Sequence, residues 1–322
     1  MRPMLTVPSM SDVMPEGEAI RLFTVPISEE LAQEAASILA RFRDLADQAL
    51  DVEDTDAFAQ NTAALFRREA AEIATLGEPL RSERQSLHGL LLDTAGLTTN
   101  NALDHVRALE HDILMQPPPV WSPLTLSRVV MEGVLFAEYL FDPSIPLNKR
   151  LARLAGMWMT DATHVQKMAA AIGSEEQAHA ADMLAYVEDC LRKCQATERR
   201  NPSGKLIGYN IDGETAPMDM NITERAAAAM PDWLPAPYRL TSGAAHNRPW
   251  MIGRASTLAE GKGLVGEAAT VMAAVMVALG AVETVVKVFG EYFGVDVGDG
   301  LQQMEEERNL FLYRAIGIAH QQ

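Results

Sequence analysis

Residues 268–282, AATVMAAVMVALGAV, carry no charge and are bracketed by Glu267 and Glu283. A membrane span needs about 20 apolar residues, so this shorter run reads as a central helix buried on most of its faces. No membrane partner is expected from it. The helix is predicted over 257–293, followed by an amphipathic one from Leu301 to Ile318.

Working outward, the rest of the chain repeats the helical pattern. Residues 1–26 mix Pro, Met, Ser and Gly without sustained periodicity and read as an N-terminal arm. Ser28 can cap a helix to Leu50, with Leu31, Ala35, Ile38, Leu39 and Phe42 on one stripe. Asp54 or Thr55 begins a second that ends before Gly77. A third is predicted over 82–95, stopped by Gly96, and a fourth from Thr99 or Asn100 to Met115. The prolines at 117–119 mark either a domain boundary or a rigid corner, dividing the chain into 27–116 and 117–322 or leaving one continuous domain.

Ser122 and Pro123 start a helix to Phe141, and DPSIP at 142–146 turns into another that carries Arg150 and Arg153 and ends at Gly173. Ser174, Glu175 and Glu176 open the next, to about Thr197. Residues 198–220, rich in Gly and Pro, read as a long loop; Asn221 with Glu224 then caps a short helix to Met230. No alternating strand pattern of useful length stands out. The expected fold is all-α, a multi-helix bundle with the apolar helix near its C-terminal end.

With 322 residues, 48% of them hydrophobic, the chain can build one large core or two modest ones. Its 27 basic and 44 acidic residues give a formal net charge of −17, which disfavours a long groove tracking nucleic-acid phosphates but leaves room for a local arginine site. Cys190 and Cys194 sit one helical turn apart, a spacing that strains a disulfide, so both are expected reduced. The N-terminal residues lack a charged leader and an apolar run, and a cytoplasmic location is expected. No P-loop, dinucleotide turn, HExxH or GxSxG stands in the chain, so no cofactor is implied.

The chemistry concentrates in 235–250, PAPYRLTSGAAHNRPW. Pro237 suits a first helical turn, and a helix over 237–246 brings Arg239 and His246 onto one face, beside a stripe of Tyr238 and Ser242. Arg239 followed by His246 resembles the motif of the HEPN superfamily, helical bundles that include metal-independent ribonucleases. The resemblance implies that His246 activates a ribose 2′-hydroxyl, that Arg239 stabilises the phosphorane charge, and that the protein is a homodimer. The segments 127–156 and 238–250 also resemble a family of uncharacterised actinobacterial helical proteins, which implies no activity.

Glu132 is the expected partner of Arg239 or His246 and completes the catalytic set. Tyr238, Ser242, Arg128 and His111 are expected to bind the ligand, either RNA or a small anion. His111 shares a face with Asp104 and Arg107. Charges on the apolar helix that carries Arg128, Glu132 and Glu138 need definite partners, and an intrahelical Arg128–Glu132 pair is the plain alternative. In that alternative His246 bonds the last helical carbonyls and the protein is a non-catalytic ligand-binding or interaction module. A third reading takes Asp161 with His164 and Glu176 with His179 as carboxylate–histidine pairs of a ferritin-like metal oxidase, with Glu110 and Glu132 completing the set. The preferred reading assigns no metal ligands.

Overall fold

A computed structural model describes residues 26–50, 61–117, 119–234, 237–246, 248, 256–259 and 263–320. In chain order the elements are α1 (Glu29–Leu50), α2 (Leu65–Ala74), α3 (Leu80–Ile113), α4 (Ser122–Phe141), α5 (Leu147–Ile172) and α6 (Ser174–Lys193). Then come β1 (Thr197–Arg200), β2 (Leu206–Ile211), β3 (Glu214–Pro217), α7 (Ile222–Ala229) and α8 (Pro237–Ala245). The last are β4 (Ser256–Ala259), β5 (Gly263–Gly266), α9 (Ala268–Phe293) and α10 (Gly298–His320). Among the described residues the framework is all-α: ten helices, with the long apolar α9 near the C-terminal end.

Local chemistry sets the helix ends. The Leu31 N–H donates to Ser28 Oγ at 3.3 Å, and the Glu224 N–H donates to the Asn221 side chain at 3.4 Å, as capping requires. Pro123 occupies the first turn of α4. At the far end of α9, Gly294 closes the helix at φ +69°, a conformation that favours glycine.

The core is built around α9. Val271, Val275, Val277, Leu279 and Val285 point in several directions around the helix, and all are fully buried. It packs against α4 and α1, with α2 and α10 at its flanks. The apolar window that could by composition cross a membrane is 78% buried inside the protein. Around this centre, α3 lies along α4, α5 pairs with α6, and α8 rests on α4. The break at 117–119 therefore joins two neighbouring helices whose buried residues belong to one hydrophobic cluster.

Three expectations are corrected. First, α3 runs unbroken through Gly96, because a buried stripe of Leu91, Ala95, Thr99, Ala102 and Val106 continues across it and outweighs the cost of one glycine. Second, the expected loop at 198–220 contains an antiparallel sheet in the order β1-β2-β3. It packs on α5, where Gly156 lets the strand approach: an added Cβ would stand 2.5 Å from the Pro217 carbonyl oxygen. Third, α9 begins at Ala268 rather than 257, after an antiparallel hairpin of β4 and β5 whose glycines interrupt the helix. The arm assigned to 1–26, except Pro26, and the start of the second helix at Asp54 or Thr55 lie outside the described residues.

Candidate functional site

The structure brings four of the seven expected site residues together where α8 crosses α4. Arg128 Nε donates to Glu132 Oε1 at 2.7 Å, Nη2 to the Tyr238 hydroxyl at 3.2 Å and Nη1 to Ser242 Oγ at 3.4 Å. Its guanidinium carbon lies 5.1 Å from the centre of the Tyr238 ring. Every nitrogen of the fork is thus committed to protein, and the group reads as a pin between two helices.

The other three residues are elsewhere. Arg239, one residue beyond Tyr238, is turned about 100° away from α4 and is exposed. His246 lies just past the last residue of α8 and is also exposed, its backbone N–H donating to the Ser242 carbonyl at 3.1 Å. Their shared face is the solvent face. Glu132, expected to meet one of them, is taken by Arg128 on its own helix. His111 is exposed near the end of α3.

A larger polar assembly, partly missed in the sequence, lies inside the bundle. Glu69 on α2, His88 on α3, Arg150 on α5 and Tyr292 on α9 are each no more than 6% exposed. The Tyr292 hydroxyl donates to Glu69 Oε2 at 2.6 Å, and His88 Nε2 stands 3.2 Å from that carboxylate oxygen and 3.1 Å from the hydroxyl. Arg150 donates from Nη1 to Glu69 Oε1 and from Nη2 to the Asp142 carbonyl at 2.5 Å. Burial pushes the Glu69 carboxyl up, but His88, Arg150 and Tyr292 together hold it below its ordinary value. Burial and the Glu69 charge raise the Tyr292 phenol.

This assembly continues toward α7. Asp142 Oδ2 accepts from Arg225 at 3.0 Å and Arg153 at 3.3 Å, and Arg225 also pairs with Glu138. Burial opposes ionisation of Asp142, yet Ser144 and Arg225 bring its pKa down to about 2. In the sequence Glu138 stands out as a charge on an apolar helix, and Arg150 and Arg153 only by their place near the start of the next one. Glu69 and His88 did not, because they sit in ordinary polar helical stretches, and nothing in their spacing marks them.

Two clefts flank the face of α3. One, of about 410 Å³, is lined by Glu83, Leu87, Leu90 and Asp93 of α3, Trp158 of α5, and Tyr186 and Cys190 of α6. The other, of about 350 Å³, has apolar walls from Phe136, Met157, Met220 and Ile222 and hydroxyls from Thr94, Thr98 and Thr160. Asp161, His164 and Asp219 line it as well, and all three are exposed. Desolvation against the wall pushes the Asp161 carboxyl above its ordinary value, with His164 opposing and Asp219 reinforcing. Among the described residues, neither lining includes a lysine or arginine.

The described residues do not bring the ligands of the metal reading together. Among the described residues no three His, Cys, Asp or Glu side chains converge as a metal would require. Asp161 and His164 line the second cleft, Glu176 and His179 are exposed on α6, Glu110 is gripped by Arg43 at 2.6 and 2.7 Å, and Glu132 by Arg128. Both cysteines are free thiols. No family model matches the chain, and neither a curated protein nor a solved structure matches it.

Proposed function

We propose that this chain is a cytoplasmic, non-catalytic binding module, and that the Asp161 cleft holds a small, largely apolar molecule with one polar end. The cleft itself carries the reading: a half-buried apolar wall, threonine hydroxyls, and carboxylates and an imidazole at one rim match the usual make-up of a small-molecule site. Among the described residues no lysine or arginine in the lining answers these carboxylates, which disfavours an anion there, so the polar end is a hydrogen-bond donor. The test uses N-phenyl-1-naphthylamine, a neutral apolar dye with one N–H donor whose fluorescence reports transfer out of water. Saturable binding is expected, weakened about tenfold or more in Thr94→Trp, which fills the cleft. A dye that binds Thr94→Trp as well as the parent, or that binds neither, overturns the reading.

The ribonuclease reading draws on one observation, the joint exposure of Arg239 and His246 on the solvent face of α8. It requires metal-independent RNA cleavage that disappears in both Arg239→Ala and His246→Ala. Unchanged cleavage in either variant, or none in the parent protein, removes it.

A further inference from the structure

The first cleft shares no lining residue with the Asp161 cleft and has a different chemistry. Its aromatic side chains, Trp158 and Tyr186, meet edge to face, with ring centres 6.1 Å apart and planes at 82°. Two ring faces at right angles form a corner. Tyr186 is 62% exposed, so most of its ring is open to a ligand.

Glu83 and Asp93 stand on the α3 side of this corner, and neither forms an ion pair among the described residues. The nearby cations are already held. Lys193, whose charge reaches Glu83, bonds Asp189 at 2.7 Å, and Arg84 is spent on the Cys194 carbonyl, Asn148 and Asp212. Leu87 and Leu90 complete an apolar floor.

We propose that this cleft binds a quaternary or fully methylated ammonium group. Such a cation has no N–H to donate, so hydrogen-bonding side chains cannot select it; it is selected by the electron-rich faces of aromatic rings, by apolar contact with its methyl groups and by nearby negative charge. All three features meet here. A primary ammonium keeps its water and gains less, and an anion is repelled by both carboxylates.

The probe is choline, compared with 3,3-dimethylbutan-1-ol, which has the same shape with carbon in place of the charged nitrogen. Titration is followed by the indole N–H resonance of Trp158, assigned by its loss in Trp158→Phe. Choline is expected to saturate this shift with a Kd on the order of 1 mM, and the neutral alcohol to bind at least about tenfold more weakly. Tyr186→Leu and Glu83→Gln, both at partly open positions, should each weaken choline about threefold or more. A neutral alcohol that binds as well as choline, no shift with choline, or unchanged binding in Tyr186→Leu overturns the proposal.

Cys190 supplies a second measurement on the same cleft, and one that needs no substitution. Burial pushes the Cys194 thiol up to about 11, so Cys190 is the thiol expected to react. The trimethylammonioethyl and sulfonatoethyl methanethiosulfonates form the same type of mixed disulfide and release the same methanesulfinate. Faster reaction of the cationic reagent, suppressed by choline, is expected; equal rates, or no protection by choline, count against the site.

Discussion

The Glu69 assembly and the two clefts beside α3 use the same residue types to opposite ends. Inside the bundle, each carboxylate is matched to a guanidinium, a phenol or an imidazole from a different helix; the carboxyls of Glu69 and Asp142 fall below their ordinary values, while burial raises that of Glu138 despite its pairing with Arg225. Along the clefts, Glu83, Asp93 and Asp161 have no ion-pair partner among the described residues, and burial raises the Asp161 carboxyl with no guanidinium to oppose it. A buried charge that is fully answered fixes the fold. One left at the edge of an apolar cleft is available to a ligand.

Removing one partner shows this difference most strongly. Arg150→Met leaves Glu69 ionised in a dry interior, and such a loss costs about 3–5 kcal/mol. Replacing both, in Glu69→Leu with Arg150→Met, should recover part of that cost, because two apolar groups need no partner. Asp161→Asn, at an exposed position, should change stability by less than about 0.5 kcal/mol. Urea unfolding of the four proteins measures all of these, and an Arg150→Met cost no larger than that of Asp161→Asn would erase the contrast.

Acid should weaken the interior. The Asp142 pKa is lowered from 3.8 to about 2 in the folded state. Its stabilising contribution, about 2 kcal/mol, is therefore complete above pH 3.8 and is lost as the pH falls through 2. The stability gap between the parent protein and Asp142→Asn should close over that interval. A gap that is constant from pH 5 to pH 2 would place the stabilisation in packing rather than in charge.

Legibility followed the length scale of the signals. The apolar run at 268–282 and the caps at Ser28, Pro123 and Asn221 are local, and each gave an element that the structure contains. The sheet also carries a local signal. Asp212 and Gly213 join β2 to β3, both with positive φ, and an Asp-Gly pair is a favoured two-residue hairpin turn. At the site, Arg128, Tyr238 and Ser242 were legible as a polar group but not as a closed one. Which face of α8 meets α4 is decided by packing, and that turned Tyr238 inward and Arg239 outward. The pairing of Glu69 with Arg150, Tyr292 and His88 joins four helices and has no sequence signature at all.

Gly96 separates local preference from packing in the smallest measurable way. Read alone, it ends a helix; in the fold, it sits within α3, and a Cβ added there would meet nothing within 4 Å. If α3 is held across this point by its buried stripe against α1 and α4, the glycine contributes only its excess freedom in the unfolded chain. Gly96→Ala should then stabilise the protein by about 0.5–1 kcal/mol, read as a higher urea midpoint with an unchanged slope. A helix broken at this residue in solution predicts the reverse, since alanine would oppose the break. A lower midpoint in Gly96→Ala would therefore split α3 in two and detach the Glu83–Asp93 wall from the Thr94–Thr98 wall that one continuous helix supplies to both clefts.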